Sequence, residues 1–136
     1  MKNITIIDGQ GGRMGKSIIE QLKKQFPEQE VLAIGTNSIA TAAMMKAGAD
    51  YGATGENPVI VAARNSDIII GPIGIVIADA LFGEVTEKMA AAVGRSHAQK
   101  ILMPVNRCNN HVVGCENLSM NEIISLVIEQ VSAYLR

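Results

Sequence analysis

The sequence predicts an α/β fold, a doubly wound and mostly parallel sheet of five to six strands with helices on both faces. Apolar runs of strand length alternate with segments whose apolar residues recur at helical spacing, which is the pattern of successive βαβ units. A glycine-rich stretch, DGQGGRMGKS at 8–17, directly follows the first run, as expected where a buried strand turns into a helix. Because 136 residues suit one ordinary domain, we expect residues 1–136 to form a single Rossmann-like domain.

The first part of the chain predicts two strands and two helices. Residues 4–7, ITII, form a buried strand, and the helical spacing over 16–26 predicts a helix that ends before a proline. Residues 30–35 form the second strand. Ser38 is placed to cap the next helix, and Gly48 stands where helices commonly terminate.

The remaining elements continue the alternation of strands and helices. Ser119 and Glu122 form a capping box that predicts a final helix. The topology rules for such folds give the strand order 3-2-1-4-5, with a ligand crevice outside the carboxyl ends of strands one and four. The other predicted elements are strands at 49–55, 67–70, 100–105 and 111–115, the last at an edge, and helices at 57–64 and 75–94, the latter broken near Gly83 and restarted by Thr86.

The composition excludes several classes of partner. Lys plus Arg count 12 against 13 for Asp plus Glu, so no strong positive field is present to attract nucleic acid or an anionic membrane. No apolar run approaches the roughly 18 residues of a membrane span. The two cysteines do not make the framework of a secreted protein, so we expect a cytoplasmic one. With 48% hydrophobic and 18% charged residues, we also expect a homo-oligomer, with a dimer favoured.

The glycine-rich stretch nearly fits the Walker signature GxxxxGK[ST]. Gly15, Lys16 and Ser17 supply its end, but Gln10 stands where its first glycine belongs. An added or missing residue changes the radius of the phosphate cradle that the backbone N–H groups form. A deviant P-loop that binds ATP is therefore an alternative interpretation.

The glycine spacing GxxGxxG fits the same stretch without a gap. Glycines allow a tight turn and the close approach of a diphosphate to the backbone at a helix N-terminus. In the simpler alternative, the glycines only turn a strand into a helix. We predict that the stretch binds a nucleotide, NAD or NADP by preference and ATP or coenzyme A as alternatives. The predicted contacts are Gly9, Gln10, Gly11, Gly12, Arg13, Met14, Gly15 and Lys16.

Two further places at the same edge of the sheet are predicted to contact the nucleotide. Dinucleotide-binding folds commonly carry an acidic residue after strand two for the adenosine ribose. Here the neutral Thr36, Asn37 and Ser38 stand instead; they can bond a ribose or a 2′-phosphate, so neither NAD nor NADP is selected. After strand four, the GPIG residues Gly71, Pro72 and Ile73 either flank a flat ring such as nicotinamide or form an ordinary turn.

The stretch PVNRCNNH, at 104–111, brings amide, guanidinium, thiol and imidazole groups together after strand five. Asn106 and Arg107 are candidate contacts to an anionic ligand, and Asp8, Arg107 and Cys108 are candidate catalytic residues. In the simpler alternative the asparagines only form the turn. Cys108, His111 and Cys115 show a CxxHxxxC spacing without an evident fourth ligand, so we predict no metal site.

Two resemblances accompany these motifs. Over about ten residues, GGRMG at 11–15 with its flanks resembles the cofactor loop of dihydrodipicolinate reductase, which implies pyridine-nucleotide binding. With DGQGG, GPIG and PVNRCNN, the whole chain resembles a short bacterial family of unknown function, which implies a Rossmann-like domain without an established reaction.

These observations lead to one preferred function and three alternatives. The preferred one is a small NAD(P)-binding protein that acts as a binding or sensing module or as a subunit of a larger assembly. The alternatives are a P-loop ATP-binding protein, a structural protein that associates with itself, and a small enzyme on an anionic or nucleotide-like substrate through Asp8, Asn106, Arg107 and Cys108.

Overall fold

The structure, a computed structural model, describes residues 1–105 and 109–136. Five parallel strands form one sheet in the order β3-β2-β1-β4-β5, which confirms the predicted fold class and strand order. Within the described residues, no helix combines the length and the apolar character needed to cross a bilayer. The strands are β1 Ile4–Asp8, β2 Val31–Gly35, β3 Tyr51–Thr54, β4 Ile68–Pro72 and β5 Gln99–Met103, and the α-helices are α1 Arg13–Gln25, α2 Ser38–Lys46, α3 Glu56–Asn65, α4 Glu87–Arg95 and α5 Met120–Leu135.

Strands β1 and β4 lie side by side at the centre of the sheet, and all of their residues are buried. Ile4 of β1 pairs with Val31 of β2 on one side and with Ile68 of β4 on the other. Because helices cover both faces, the central strands are mainly isoleucine and do not show the regular alternation of apolar and polar residues that a sheet with one exposed face has. The strand order reverses between β1 and β4, which places a crevice outside their carboxyl ends.

The helices form two layers, one on each face of the sheet. Ile18 of α1, Met44 of α2 and Val127 of α5 belong to one buried cluster with the strands. Val59 of α3 and Met89 of α4 belong to the other. The layer that contains α1 therefore supports the glycine-rich stretch, which is the connection between β1 and α1.

The predicted helix over 75–94 is wrong in its first half. A short 3-10 helix at Ile73–Val76 follows β4, and residues 77–86 then form a series of turns. Thr86 caps α4 as predicted, because its hydroxyl accepts a hydrogen bond from the Met89 N–H.

The 77–86 segment departs from a helix because of its backbone. Asp79, Leu81 and Phe82 have φ values of 67°, 57° and 56°, in the left-handed region that an α-helix of L-residues does not use. Leu81 and Val85 are buried in the cluster with α3 and α4. Contacts with the rest of the fold therefore bury these apolar residues. Their near-helical spacing in the sequence is the reason that a helix was predicted.

The predicted sixth strand at 111–115 is also wrong. These residues lie in turns, and the side chain of Val113 is 85% exposed. Gly114 has a φ of 91°, which interrupts an extended backbone. The apolar pair of valines that indicated a strand is therefore not paired with β5 in the described sheet.

The predicted helix caps at Ser38 and Ser119 have different outcomes. Asn37, one residue before the predicted Ser38, caps α2, because its Oδ1 accepts the Ala40 N–H at 2.9 Å. Ser38 is the first helical residue instead. The capping box of Ser119 and Glu122 is confirmed at the start of α5.

Candidate functional site

Asp8, the last residue of β1, organises the glycine-rich loop that follows it. Its Oδ1 accepts the Gly9 N–H at 2.8 Å, and its Oδ2 accepts the Gly15 N–H at 2.7 Å. The side chain therefore ties the strand end to the first turn of α1. Asp8 is only 3% exposed, which places this carboxyl beneath the loop.

Burial raises the pKa of the Asp8 carboxyl above its ordinary value of 3.8. The backbone N–H groups of Gly15 and Gly9 act in the opposite direction, and the nearby negative charge of Glu84 adds to the increase. Desolvation outweighs the hydrogen bonds because the carboxylate has lost most of its water. Both oxygens of Asp8 nevertheless hold the loop, so the geometry assigns this candidate catalytic residue a positioning role.

At three of the four glycines in the loop, a Cβ would lie closer than 3.0 Å to a neighbouring atom. A Cβ on Gly9 would lie 2.8 Å from Leu81 Cδ1, and a Cβ on Gly15 would lie 2.9 Å from Met44 Cγ. Gly12, the N-cap of α1, has a φ of 73°, and a Cβ there would lie 2.9 Å from the backbone of Ala40. The predicted GxxGxxG spacing thus coincides with the three positions where a side chain would force neighbouring atoms to shift.

Gly11 differs from the other loop glycines. It is exposed, its φ lies outside the left-handed region, and a Cβ added to it would meet no atom within 4 Å. Its N–H, like that of Arg13, has no acceptor within the part of the chain that the structure describes. The fold therefore gives no reason for a glycine at this position, and it leaves two backbone donors unused beside the N-terminus of α1.

The exposed cations Arg13 and Lys16 flank these donors. They lie three residues apart in the first turns of α1, a spacing that places two side chains on one face of a helix. Positive charge and a helix N-terminus both favour an anion at this place. Met14 is half-buried against the core, so its side chain packs beneath the loop.

Glu84 reaches the loop from the 77–86 segment and was not among the residues predicted from the sequence. Its Oε1 accepts the Gln10 N–H at 2.9 Å, the Thr36 hydroxyl at 2.6 Å and the Asn37 side-chain amide at 2.8 Å. Asn37 also donates to the Gln10 carbonyl at 3.0 Å. The end of β2 and the glycine loop are therefore joined through one carboxylate.

The pKa of Glu84 is lowered from its ordinary value of 4.5. Partial burial acts to raise it, but the hydrogen bonds from Thr36, the Gln10 N–H and Asn37 together outweigh that effect. Glu84 is therefore an ionised carboxylate at neutral pH. An acidic group does lie at the end of β2, although it comes from a distant part of the chain.

Acidification is expected to remove the stability that the Glu84 carboxylate contributes. Because its folded pKa is lowered, this contribution is present above the unfolded value and is lost as the pH falls below about 4.5. The variant Glu84→Gln lacks it, so the difference in unfolding free energy between wild type and variant should shrink between about pH 6 and pH 3.5. Urea titrations at the two pH values measure this difference. Glu129→Gln, on an exposed part of α5, controls for the loss of one charge. If the difference in unfolding free energy between wild type and Glu84→Gln stays constant with pH, the prediction is wrong.

Most of the nucleotide contacts predicted after β2 and after β4 are either bonded to Glu84, exposed or buried in the sheet. Thr36 and Asn37 are both bonded to Glu84, and Ser38 is exposed at the start of α2. Gly71 and Pro72 are buried within β4, and a Cβ on Gly71 would collide with the carbonyl oxygen of Ile7. The first two residues of GPIG are therefore the end of β4, and the half-buried Ile73 begins the 3-10 helix.

The candidates of the second motif, Asn106, Arg107 and Cys108, lie outside the described residues. Beyond them, His111 Nε2 lies 2.9 Å from Glu116 Oε1 in an exposed pair, and Cys115 is half-buried. Ser17, whose hydroxyl would bind magnesium in a Walker loop, lines a groove between α1 and α5. This position does not favour the P-loop alternative.

The fold and the loop together define the class: a Rossmann-like α/β protein with a glycine-rich turn at its topological switch point. A family model described as "Domain of unknown function (DUF3842)" matches residues 3–136, so the chain belongs to that family, and the expectation of a family without an assigned function is confirmed. No curated protein matches the chain. Among solved structures, the chain is similar to the crystal structure of a dodecameric FMN-dependent UbiX-like decarboxylase from Escherichia coli O157:H7, with 14% identity and a TM-score of 0.45 over 97% of this chain and 94% of that chain.

Proposed function

We propose that the chain binds a pyridine dinucleotide, NAD or NADP, with the diphosphate at the glycine loop. Gly11 is the observation that carries the proposal: an exposed glycine that no packing contact requires, with an unused N–H beside the N-terminus of a helix. A glycine without a structural cause is what the close approach of a phosphate to the backbone needs. Arg13 and Lys16 supply charge on the same side of α1.

The contact between Glu84 and the loop identifies a loop N–H that donates to a group outside the loop. The N–H of Gln10 donates to the Glu84 carboxylate at 2.9 Å, so the loop backbone is arranged to donate to an acceptor outside it. Thr36 and Asn37 donate to the same oxygen from the end of β2. A dinucleotide in a fold of this class extends between these two places.

The engagement of Asp8 favours a binding or sensing module over an enzyme. Both of its oxygens accept loop N–H groups, which makes it a poor acceptor for a substrate proton. The self-association expected from the apolar composition stays a prediction.

Thermal-shift titrations of the purified protein test the proposal. NAD, NADP or one of their reduced forms is expected to raise the melting temperature by several degrees at about 100 times the dissociation constant, because that concentration stabilises the fold by about 2.7 kcal/mol. Adenosine, which lacks the diphosphate, should give little shift. ATP and coenzyme A are tested in parallel, and a shift with either of them alone would refute the pyridine dinucleotide.

A matched pair of arginine variants places the ligand on the molecule. Arg13→Gln removes a cation beside the loop, at the N-terminus of α1. Arg64→Gln removes a cation from the last turn of a different helix, α3. The first variant should weaken binding about tenfold, as expected for the loss of a charge-assisted contact, and the second should not. Equal effects would show that net charge alone attracts the nucleotide.

A further inference from the structure

Glu84 lies where a ribose-binding acid belongs in a dinucleotide-binding fold, although it is far from β2 in the sequence. In such folds an acidic residue after the second strand accepts hydrogen bonds from the adenosine ribose. That part of the chain is neutral here, from Gly35 to Ser38. In the folded chain, the Glu84 carboxylate lies where that acidic residue would be, since Oε1 accepts hydrogen bonds from Thr36 and Asn37 directly after β2.

The second oxygen of the Glu84 carboxylate is unused. All three hydrogen bonds to the side chain end on Oε1, and within the described residues Oε2 accepts none. A carboxylate with one oxygen fixed and one open is well suited to accept a donor from a ligand. Ribose hydroxyls are such donors, whereas a phosphate at neutral pH is mainly an acceptor.

The 77–86 segment is held on both sides of Glu84. Leu81 and Val85 are each about 1% exposed in the core cluster with α3 and α4. Thr86, at the end of the segment, donates its hydroxyl hydrogen to Glu56 at 2.6 Å. These contacts hold the backbone on both sides of Glu84. The position of the carboxylate is therefore set by the fold as well as by its hydrogen bonds to the loop.

The charge around Glu84 is uncompensated. The three donors to Oε1 are a backbone N–H, a hydroxyl and an amide, all neutral, and no lysine or arginine among the described residues forms an ion pair with it. A 2′-phosphate at this place would face a negative carboxylate and would find Thr36 and Asn37 already engaged. Like charges brought together in this way disfavour binding of the 2′-phosphate.

We propose that Glu84 accepts the hydroxyls of the adenosine ribose and thereby selects NAD over NADP. This inference rests on the proposed function, since it assigns one end of the same dinucleotide. The preference for NAD over NADP then depends on the 77–86 segment, which the sequence pattern predicted to be helical. The neutral residues after β2 then position the carboxylate and leave direct recognition of the ribose to it.

Isothermal titration of NAD and of NADP into wild type and Glu84→Gln tests the inference. Wild type should bind NAD at least about tenfold more tightly than NADP, a difference of about 1.4 kcal/mol. Glu84→Gln keeps an oxygen for the three donors but removes the charge, so the ratio should fall below about threefold, mainly through tighter binding of NADP. Glu87→Gln, an exposed carboxylate in the first turn of α4, is the matched control and should retain the wild-type ratio.

The possible results separate this inference from the proposed function. If wild type binds NAD and NADP equally, or NADP more tightly, the inference is wrong while dinucleotide binding stands. If Glu84→Gln tightens both ligands by the same factor, Glu84 only occupies the site and competes with the nucleotide, which also overturns the selection. If wild type and variant, both folded by circular dichroism, bind neither nucleotide, the proposed function falls and the inference with it.

Discussion

Replacing Gly71 with alanine is expected to destabilise the fold by about 3 kcal/mol or more. Gly71 lies in β4, where it pairs with Leu102 of β5, and a Cβ there would collide with the carbonyl oxygen of Ile7 in β1. Backbone of a central strand cannot move aside as a flexible side chain can, because β1 is hydrogen-bonded to β2 and β4. The strain would therefore spread through the middle of the sheet.

Denaturant unfolding of the variant and of a matched alanine substitution checks this expectation. Gly94 lies in α4, and a Cβ added to it meets no atom within 4 Å. Gly94→Ala should therefore stabilise the protein by about 0.5–1 kcal/mol, since alanine is the better helix former. Opposite signs for the two variants are the expected result. A Gly71→Ala protein as stable as wild type would show that the sheet has room at this position.

The fold was largely predictable because its central strands have a simple physical signature. The runs ITII and DIII consist mainly of isoleucine, and only strands covered on both faces bury such consecutive apolar residues. Helical spacing between the runs then fixed the alternation of elements, and the rules on crossovers fixed the strand order. The 77–86 segment could not be predicted in this way, since its left-handed residues and buried leucine depend on contacts distant in the sequence.

The candidate site was predictable only in its local parts. Asp8 and the glycines stand together in the chain, and their turn follows from neighbouring residues. Glu84 is separated from Gln10 by 74 residues, so no spacing rule connects the two. The search for an acidic residue directly after β2 failed because the fold supplies one from the 77–86 segment. Three of the loop glycines also have close neighbours that a side chain would displace, which the motif alone does not distinguish from ligand binding.

Replacing Gly11 with valine is expected to abolish dinucleotide binding while leaving the fold intact. A side chain there meets open space in the protein, and the φ of Gly11 is outside the left-handed region, so the unfolding free energy should change by no more than about 0.5 kcal/mol. The added methyl groups would occupy the approach to the loop N–H groups. We expect affinity for NAD to fall at least about 100-fold, or about 2.7 kcal/mol.

Calorimetric titration with NAD, together with denaturant unfolding of the same preparations, measures both expectations. Gly11→Ala adds a smaller group at the same place and should weaken binding to an intermediate degree. Gly12→Val provides the contrast: with a φ of 73° and the backbone of Ala40 at 2.9 Å, Gly12 cannot accept a side chain without loss of stability. A loss of binding in that variant would therefore not distinguish a ligand contact from a damaged loop.

The comparison of these variants decides between the two interpretations of the loop. If Gly11→Val loses affinity at full stability, the glycine serves the ligand, because the fold does not require it. If Gly11→Val binds NAD as wild type does, the loop N–H groups are not the diphosphate site, and the glycines only join β1 to α1. The outcome rests on Gly11 because it is the loop glycine at which a side chain tests ligand approach without disturbing packing.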